Sequence, residues 1–346
     1  MPIPDTLPLG QRVFIIAEAG VNHNGDVDLA MKLIDVAAEA GADAVKFQTW
    51  KPGEITGRFA YKVPYLEQST SPDESRYELS RRLALPYDAF RKISVHADRR
   101  GILFLSTPDG FESLDFLVSE LNIPFIKVGS TEVTHVQFLE AVGRKDRPVI
   151  LSTGLSNLGE VEKAVGTIRQ FTQKSLVLLH CTSEYPANYS EINLRAMVTL
   201  RNAFHLPVGF SDHSVGKEAG IAAVSLGAEI IEKHFTTDKT LEGPDHQASM
   251  DPSELKDFIR SIRITEQVLG DGLKRMTPSE KRNVIGIRRS IVARHPISKY
   301  TVLSREMLTC KRPGNGLSPG FMDCVIGMRT NKNLEEDEPL LWDYLK

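Results

Sequence analysis

The chain has 346 residues, 41% of them hydrophobic and 25% charged, with a net charge of -3 at neutral pH. This balance excludes a disordered chain and gives no electrostatic basis for nucleic-acid or acidic-membrane binding, so an anionic ligand must be held by local groups. Three cysteines, Cys181, Cys310 and Cys324, lack CxxC spacing and indicate neither a disulfide framework nor a structural zinc site.

Residues 1–11 lack a basic start followed by an apolar run, and no stretch reaches the about 18 apolar residues of a membrane span. A cytoplasmic protein is expected. Short β-branched runs follow at 13–17, 44–48, 102–106, 125–128, 149–152, 176–180, 208–210 and 229–233, separated by amphipathic stretches of helical length. The first of these stretches, LAMKLIDVAAEA at 29–40, places Leu29, Leu33, Val36 and Ala37 on one face. Eight strands alternating with helices predict an α/β fold, a closed (β/α)8 TIM barrel over residues 1–272. An open dinucleotide-binding sheet would carry GxGxxG after its first strand, and none is present. Between 49 and 74 polar residues, Gly and Pro run without period, which reads as an active-site lid or as a plain insertion. Residues 273–284 are charged and read as a linker. From 285 to 346, short strand-like pieces with turns at 294–299 and 313–316 predict a small β-rich domain.

Two histidines end neighbouring strands, His213 in GFSDHS and His234 in IIEKHFT. Active sites of such barrels lie at the C-terminal strand ends. Side chains two apart share a face of a strand, so Gln48 goes with Lys46, Ser211 with His213, and Glu232 lies one layer beneath His234. Glu18, Lys46, Lys127, Ser152, His213 and His234 are then expected to converge on one cavity. Two lysines with hydroxyls suit a phosphate and a carboxylate, although a solvent-reaching lysine stem is the competing reading for each. Two neutral imidazoles suit an open divalent-metal site that polarises a carbonyl. Glu18 is placed to act as a base or to orient a water, with a salt bridge inside the barrel as the alternative. His23 in the NHNG turn reads equally as a turn-stabilising side chain. His180 is as much a packed or hydrogen-bonded histidine as a ligand.

Taken in order, IIAEAGVNHNG, AVKFQT, FLSTP, KVGS, ILSTG, LLHCTSEYP, GFSDHS, IEKHFT, GPDHQAS and KRPGNG resemble the bacterial sialic acid synthase family across nearly the whole chain. The resemblance implies a (β/α)8 barrel followed by an antifreeze-like SAF domain, in a domain-swapped homodimer. It implies condensation of phosphoenolpyruvate with an N-acetylmannosamine-type sugar to give a sialic acid and phosphate by C–O cleavage, dependent on Mn²⁺ or another divalent ion such as Mg²⁺. By the same resemblance His213 and His234 are metal ligands and Glu18 is needed for the chemical step. Phosphoenolpyruvate contacts fall on Lys46, Thr107, Lys127, Ser130, Ser152, Ser183 and Ser211. Sugar contacts fall on Gln48, Glu132, Tyr185 and Asp245, with Arg312 of the partner subunit at the N-acetyl group.

The chain departs from the family pattern in three places. Ser183 stands where many relatives have Asn, KVGSTE replaces a Lys-Ile-Pro-Ser-Gly-Glu run, and Asp109 and Gly110 stand where an aromatic is common. A 2,4-diacetamido-2,4,6-trideoxymannose acceptor, giving N,N'-diacetyllegionaminate, is the alternative within enzymes. A non-catalytic carbohydrate- or ice-binding protein is the alternative from another class, and it leaves the acidic, basic and imidazole groups at the strand ends without a purpose.

Overall fold

The computed structural model describes residues 6–10 and 12–346; within the N-terminal stretch read for a leader, residues 1–5 and 11 lie outside the described ones. The chain divides between Gly270 and Asp271 into two compact units. No helix among the described residues is long and apolar enough to cross a membrane.

The first unit is a ring of eight parallel strands: β1 (Phe14–Gly20), β2 (Ala44–Thr49), β3 (Leu103–Pro108), β4 (Ile126–Val128), β5 (Val149–Ser152), β6 (Leu176–Cys181), β7 (Val208–Asp212) and β8 (Ile230–His234). Their order is β3-β2-β1-β8-β7-β6-β5-β4, and the end strands β3 and β4 lie side by side. This is the TIM barrel expected from the alternating pattern. Strands β1, β7 and β8 run on past the apolar runs that announce them, to Gly20, Asp212 and His234, because the polar mouth residues continue the ladder.

Parity sorts the side chains into two faces. Ile15, Ala17, Val45, Phe47, Phe104, Ile126, Leu151, Leu178, Phe210 and Ile231 turn outward into the core shared with the helices. Phe14, Ile16, Ala44, Leu105, Phe125, Ile150, Val177, Leu179 and Ile230 turn inward and fill the lower barrel. Gly209 belongs to this crowded layer; a Cβ there would stand 2.4 Å from the Ile230 carbonyl oxygen and 2.7 Å from Leu179. Above the apolar layer the inward positions become polar.

Helices cover the outside. Val27–Ala40 is capped by Asp26, whose carboxylate accepts from the Asp28 and Leu29 amides, and it ends at Gly41 with φ 86°. Its buried residues are Ala30, Leu33, Ile34 and Ala37, so the stripe is rotated toward Ala30 and Ile34, and Leu29 and Val36 are only half-buried. The aperiodic stretch after β2 is ordered: it carries a short helix, Pro64–Ser69, followed by Arg76–Leu83. Leu66, Leu79 and Leu83 pack there with Val21 and Trp50.

In the second unit, β9 (Ser290–Ala293) pairs antiparallel with β10 (Leu308–Lys311) over a core that includes Ile291, Ile297, Leu303, Leu317, Val325 and Leu340. The charged stretch read as a linker carries a helix, Pro278–Ile287, started by a reciprocal Thr277/Glu280 capping box. Its charged composition hides the helix, which buries none of its side chains.

Candidate active site

The inward polar layer at the strand ends is a buried network of charge. Strand register sets Glu18 opposite both Lys46 and His234, and Ser211 opposite Glu232. The Lys46 ammonium lies 2.7 Å from Glu18 Oε2 and 3.7 Å from Glu232 Oε2, and it donates to Thr107 Oγ1 at 3.0 Å. Lys127 lies 3.5 Å from Glu232 Oε1 and donates to Ser152 Oγ at 2.8 Å. Ser211 Oγ donates to the same Glu232 oxygen at 2.9 Å, and Gln48 Nε2 donates to Glu18 Oε1 at 3.3 Å.

The two carboxylates at its centre are pushed in opposite directions. Burial drives the Glu18 carboxyl up, against the pull of Lys46, to about 7. Burial alone would also raise Glu232, but Lys127 and Lys46 together hold it at about 2. Glu232 is thus the fixed anion of the site and Glu18 the group that titrates near neutrality, a division of labour typical of acid–base sites.

Beside this network stand the imidazoles of His213 and His234, ring centroids 5.3 Å apart and planes at 74°. His213 Nδ1 lies 2.8 Å from the Thr182 carbonyl oxygen; a carbonyl only accepts, so Nδ1 carries a proton and Nε2 is the ring nitrogen that faces inward, 3.1 Å from the Tyr185 hydroxyl. Burial, with His213 and Lys46 nearby, holds His234 well below the usual imidazole range and therefore neutral. Its Nδ1 is buried without a hydrogen-bond partner, with Asp245 Oδ2 at 3.9 Å. Burial pulls the His213 imidazole down, but Cys181 and the Thr182 carbonyl more than offset it and raise its proton affinity. One imidazole with Nδ1 committed to a carbonyl, and a second held neutral with a buried orphan nitrogen, fit a divalent cation that displaces the remaining proton. Among the described residues no cluster of three or more His, Cys, Asp or Glu is arranged for a metal, so such an ion would complete its shell with water or substrate oxygens.

On the other side of Lys127 the hydroxyls gather. The Gly154 amide donates to Ser130 Oγ at 3.0 Å. A Cβ on Gly154 would stand 2.4 Å from Ser183 Oγ and 2.9 Å from Ser130 Oγ, so glycine keeps open a cradle lined by two hydroxyls. That donor set matches phosphate oxygens.

The profile of the NeuB family matches residues 33–274, and that of the SAF domain matches residues 288–346. The chain belongs to the NeuB family. It is 44% identical to the N,N'-diacetyllegionaminic acid synthase of Campylobacter jejuni over 95% of its own length and 98% of that protein's. It is also 44% identical to the enzyme of that name from Legionella pneumophila, over 96% and 94% of the two chains. The crystal structure of N-acetylneuraminic acid synthetase from Leptospira borgpetersenii superposes with a TM-score of 0.70 at 34% identity, covering 81% of this chain and 94% of that one. This NeuB-family chain is accordingly an enzyme, of the sialic acid synthase type and with nonulosonic acid synthases among its relatives.

In the NeuB-family barrel, Glu18, Lys46, Gln48, Thr107, Lys127, Ser152, Ser211, His213 and His234 form the network just described, with Ser130 and Ser183 in the cradle and Tyr185 and Asp245 against the imidazoles. Glu132 is paired with His135 Nδ1 at 2.7 Å, and its charge also helps raise Asp109, which burial pushes to about 7. Arg312 lies in the second unit, where its Nε donates to the Ile287 carbonyl at 2.9 Å. His180 turns outward, stacks on Phe210 and bonds the Ile192 carbonyl at 2.6 Å, which makes it structural. His23 Nδ1 accepts from the Gly25 amide at 3.0 Å and shapes the turn.

Four residues of the site were absent from the sequence-derived set. Glu232, between the two lysines, was signalled by its position two before His234. Cys181 is inward by the same parity, with its sulfur 3.7 Å from His213 Nδ1. Asp109 stands out in the sequence only as a departure from the family pattern. Tyr65, on the helix after β2, packs against Tyr185 with centroids 5.2 Å apart and planes tilted at 44°, and nothing local in the sequence announces it.

Proposed function

We propose that this enzyme condenses phosphoenolpyruvate with the open-chain form of an N-acetylated mannose-type sugar, joining phosphoenolpyruvate C3 to sugar C1 and releasing phosphate by C–O cleavage. The observation that carries this reading is the adjacency of an anion seat, Lys46 and Lys127 with the Ser130–Ser183–Gly154 cradle, to a pair of facing imidazoles.

A divalent ion such as Mn²⁺, held by His213 and His234, would supply Lewis acidity to the sugar aldehyde. Lys127, Ser152 and the cradle bind the phosphate, while Lys46 balances the carboxylate and stays charged because Glu18 and Glu232 face it. As the enol carbon attacks C1, the aldehyde oxygen takes up the electron pair of its C=O bond and the proton that Glu18 holds, becoming a hydroxyl, and positive character develops at C2 of the enol ether. Glu232, which is anionic throughout, stabilises that charge. Glu18, close to neutrality in its proton affinity, takes the proton of the water that adds to C2. Collapse of the tetrahedral carbon forms the C2 carbonyl and expels phosphate, which leaves with the C2 hydroxyl proton. Tyr65 and Tyr185 form an aromatic wall beside the imidazoles that orients the acceptor.

Two finer points belong to the same proposal. The 44% identity to two N,N'-diacetyllegionaminic acid synthases, against 34% to the Leptospira N-acetylneuraminic acid synthetase, favours a 2,4-diacetamido-2,4,6-trideoxymannose acceptor over N-acetylmannosamine. From the KRPGNG resemblance, Arg312 of a partner subunit serves the acceptor's N-acetyl group in a domain-swapped homodimer.

The test is to incubate the protein with Mn²⁺, phosphoenolpyruvate labelled with ¹⁸O in the bridging position, and each sugar in turn. Phosphate carrying the label, with a product mass equal to sugar plus pyruvate, is the expected outcome. Unlabelled phosphate would refute C–O cleavage, and absence of phosphate release with every sugar would refute the condensation. Release that persists in excess chelator would remove the metal from the scheme.

A further inference from the structure

Asp212 and Lys233 stand opposite each other at the ends of β7 and β8, each one residue before a histidine of the pair. Alternation therefore turns them outward where His213 and His234 turn inward. On that outer side the Lys233 ammonium lies 2.9 Å from Asp212 Oδ2, with side-chain exposures of 1% and 0%. The same ammonium donates to the Ser214 carbonyl at 2.5 Å. Asp212 Oδ1 in turn accepts from the Ser214 amide at 2.9 Å and from its hydroxyl at 2.6 Å. The residues on both sides of His213 are thus tied to the residue preceding His234.

The surroundings are closed. The Phe258 ring lies 6.0 Å from the ammonium, and a Cβ on Gly220 would stand 2.5 Å from that ring and 3.6 Å from Asp212 Oδ2. Neither charge reaches the barrel interior, and no step of the proposed reaction uses them. A buried ion pair is weak support for stability, since apolar residues of like volume hold two strands together as well. What an ion pair with three further hydrogen bonds adds is direction: it fixes the distance and rotation of the two strand ends.

We propose that the Asp212–Lys233 pair, with Ser214, is a positioning clamp that sets the separation and tilt of the two imidazoles and thereby their affinity for a divalent cation. This inference rests on the reading of His213 and His234 as the metal seat. Partners that orient metal-binding histidines typically change affinity by about 10–100-fold when removed.

Mn²⁺ alone is the probe, titrated by electron paramagnetic resonance into the full chain and into Asp212→Asn, Lys233→Met, Ser214→Ala, His213→Ala and His234→Ala, with folding followed by circular dichroism. Phosphoenolpyruvate affinity is measured in parallel. The clamp predicts Mn²⁺ binding weakened by at least about tenfold in Asp212→Asn and Lys233→Met, with phosphoenolpyruvate affinity within about twofold of wild type. Binding lost in the histidine variants but unchanged in folded Asp212→Asn and Lys233→Met overturns the clamp alone. Binding indifferent to the histidine variants overturns the metal seat, and the clamp with it. If the charge variants do not fold, Ser214→Ala decides: a severalfold loss of Mn²⁺ affinity supports the clamp, and none overturns it.

Discussion

The Lys46 ammonium and the Glu18 carboxylate lie 2.7 Å apart at the centre of the barrel mouth, their side chains 3% and 1% exposed. The pair joins two readings that the sequence holds as alternatives. Glu18 makes a salt bridge inside the barrel, and burial still leaves its carboxyl titrating at about 7, where a general base is useful. Neither Lys46 nor Lys127 reaches solvent, so the competing reading of each as a surface lysine fails on burial.

Removing only the proton-accepting oxygen should separate binding from chemistry. Glu18→Gln keeps the shape and the contact to Gln48, so turnover should fall by roughly 10²–10⁴-fold with phosphoenolpyruvate affinity within a few-fold of wild type. Steady-state kinetics and calorimetry read the two quantities. Near wild-type turnover would take Glu18 out of the chemical step.

The pH dependence of stability carries the same assignment. Folded Glu18 titrates at about 7 against an ordinary value of 4.5, so between these values the folded chain holds a proton that the unfolded chain has released. Its contribution is full below about pH 4.5 and is lost as pH rises toward about 7, by on the order of 3 kcal/mol. Urea denaturation across this range, in protein without ligands, should show wild type losing stability relative to Glu18→Gln as pH rises. Parallel profiles would place the Glu18 carboxyl near its ordinary value.

Lys127 balances Glu232, so its loss should cost stability as well as substrate. Lys127→Met leaves a buried carboxylate with one cation fewer and should destabilise the protein by about 3–5 kcal/mol, with phosphoenolpyruvate binding lost. Adding Glu232→Gln should recover much of the stability and none of the binding. A double variant as unstable as the single one would show that the two groups do not act as a pair.

Tyr65 predicts a split between the two substrates. Its ring packs at a tilt against Tyr185, which in turn stacks on His213 with centroids 4.1 Å apart. Tyr65→Ala should raise the acceptor KM by about tenfold, the scale of one lost aromatic contact, while Tyr65→Phe and the KM for phosphoenolpyruvate stay close to wild type. An equal rise in both KM values would assign Tyr65 to general closure of the site.

Much of this barrel was legible because its information is local. β-Branched runs mark each strand, and the alternation within a strand says which residues share a face; Lys46 with Gln48 and Ser211 with His213 followed from counting by two. The strands extend beyond their apolar runs, since the polar residues that make up the site interrupt the apolar pattern at the mouth. The same alternation in β6 turns His180 outward and Cys181 inward.

Strand count, the inward chemical groups and, through ten motifs in order, the family are all written locally in the chain. Which of those groups meet follows from the folded barrel: Glu232 between two lysines, Glu18 against Lys46, Tyr65 against Tyr185, and Asp212 on Lys233 behind the histidines. The difference is one of range. Parity is a property of one strand, whereas these pairs depend on the register between strands and on how a loop after β2 packs over the mouth, and both are set by long-range burial that no short stretch of sequence contains.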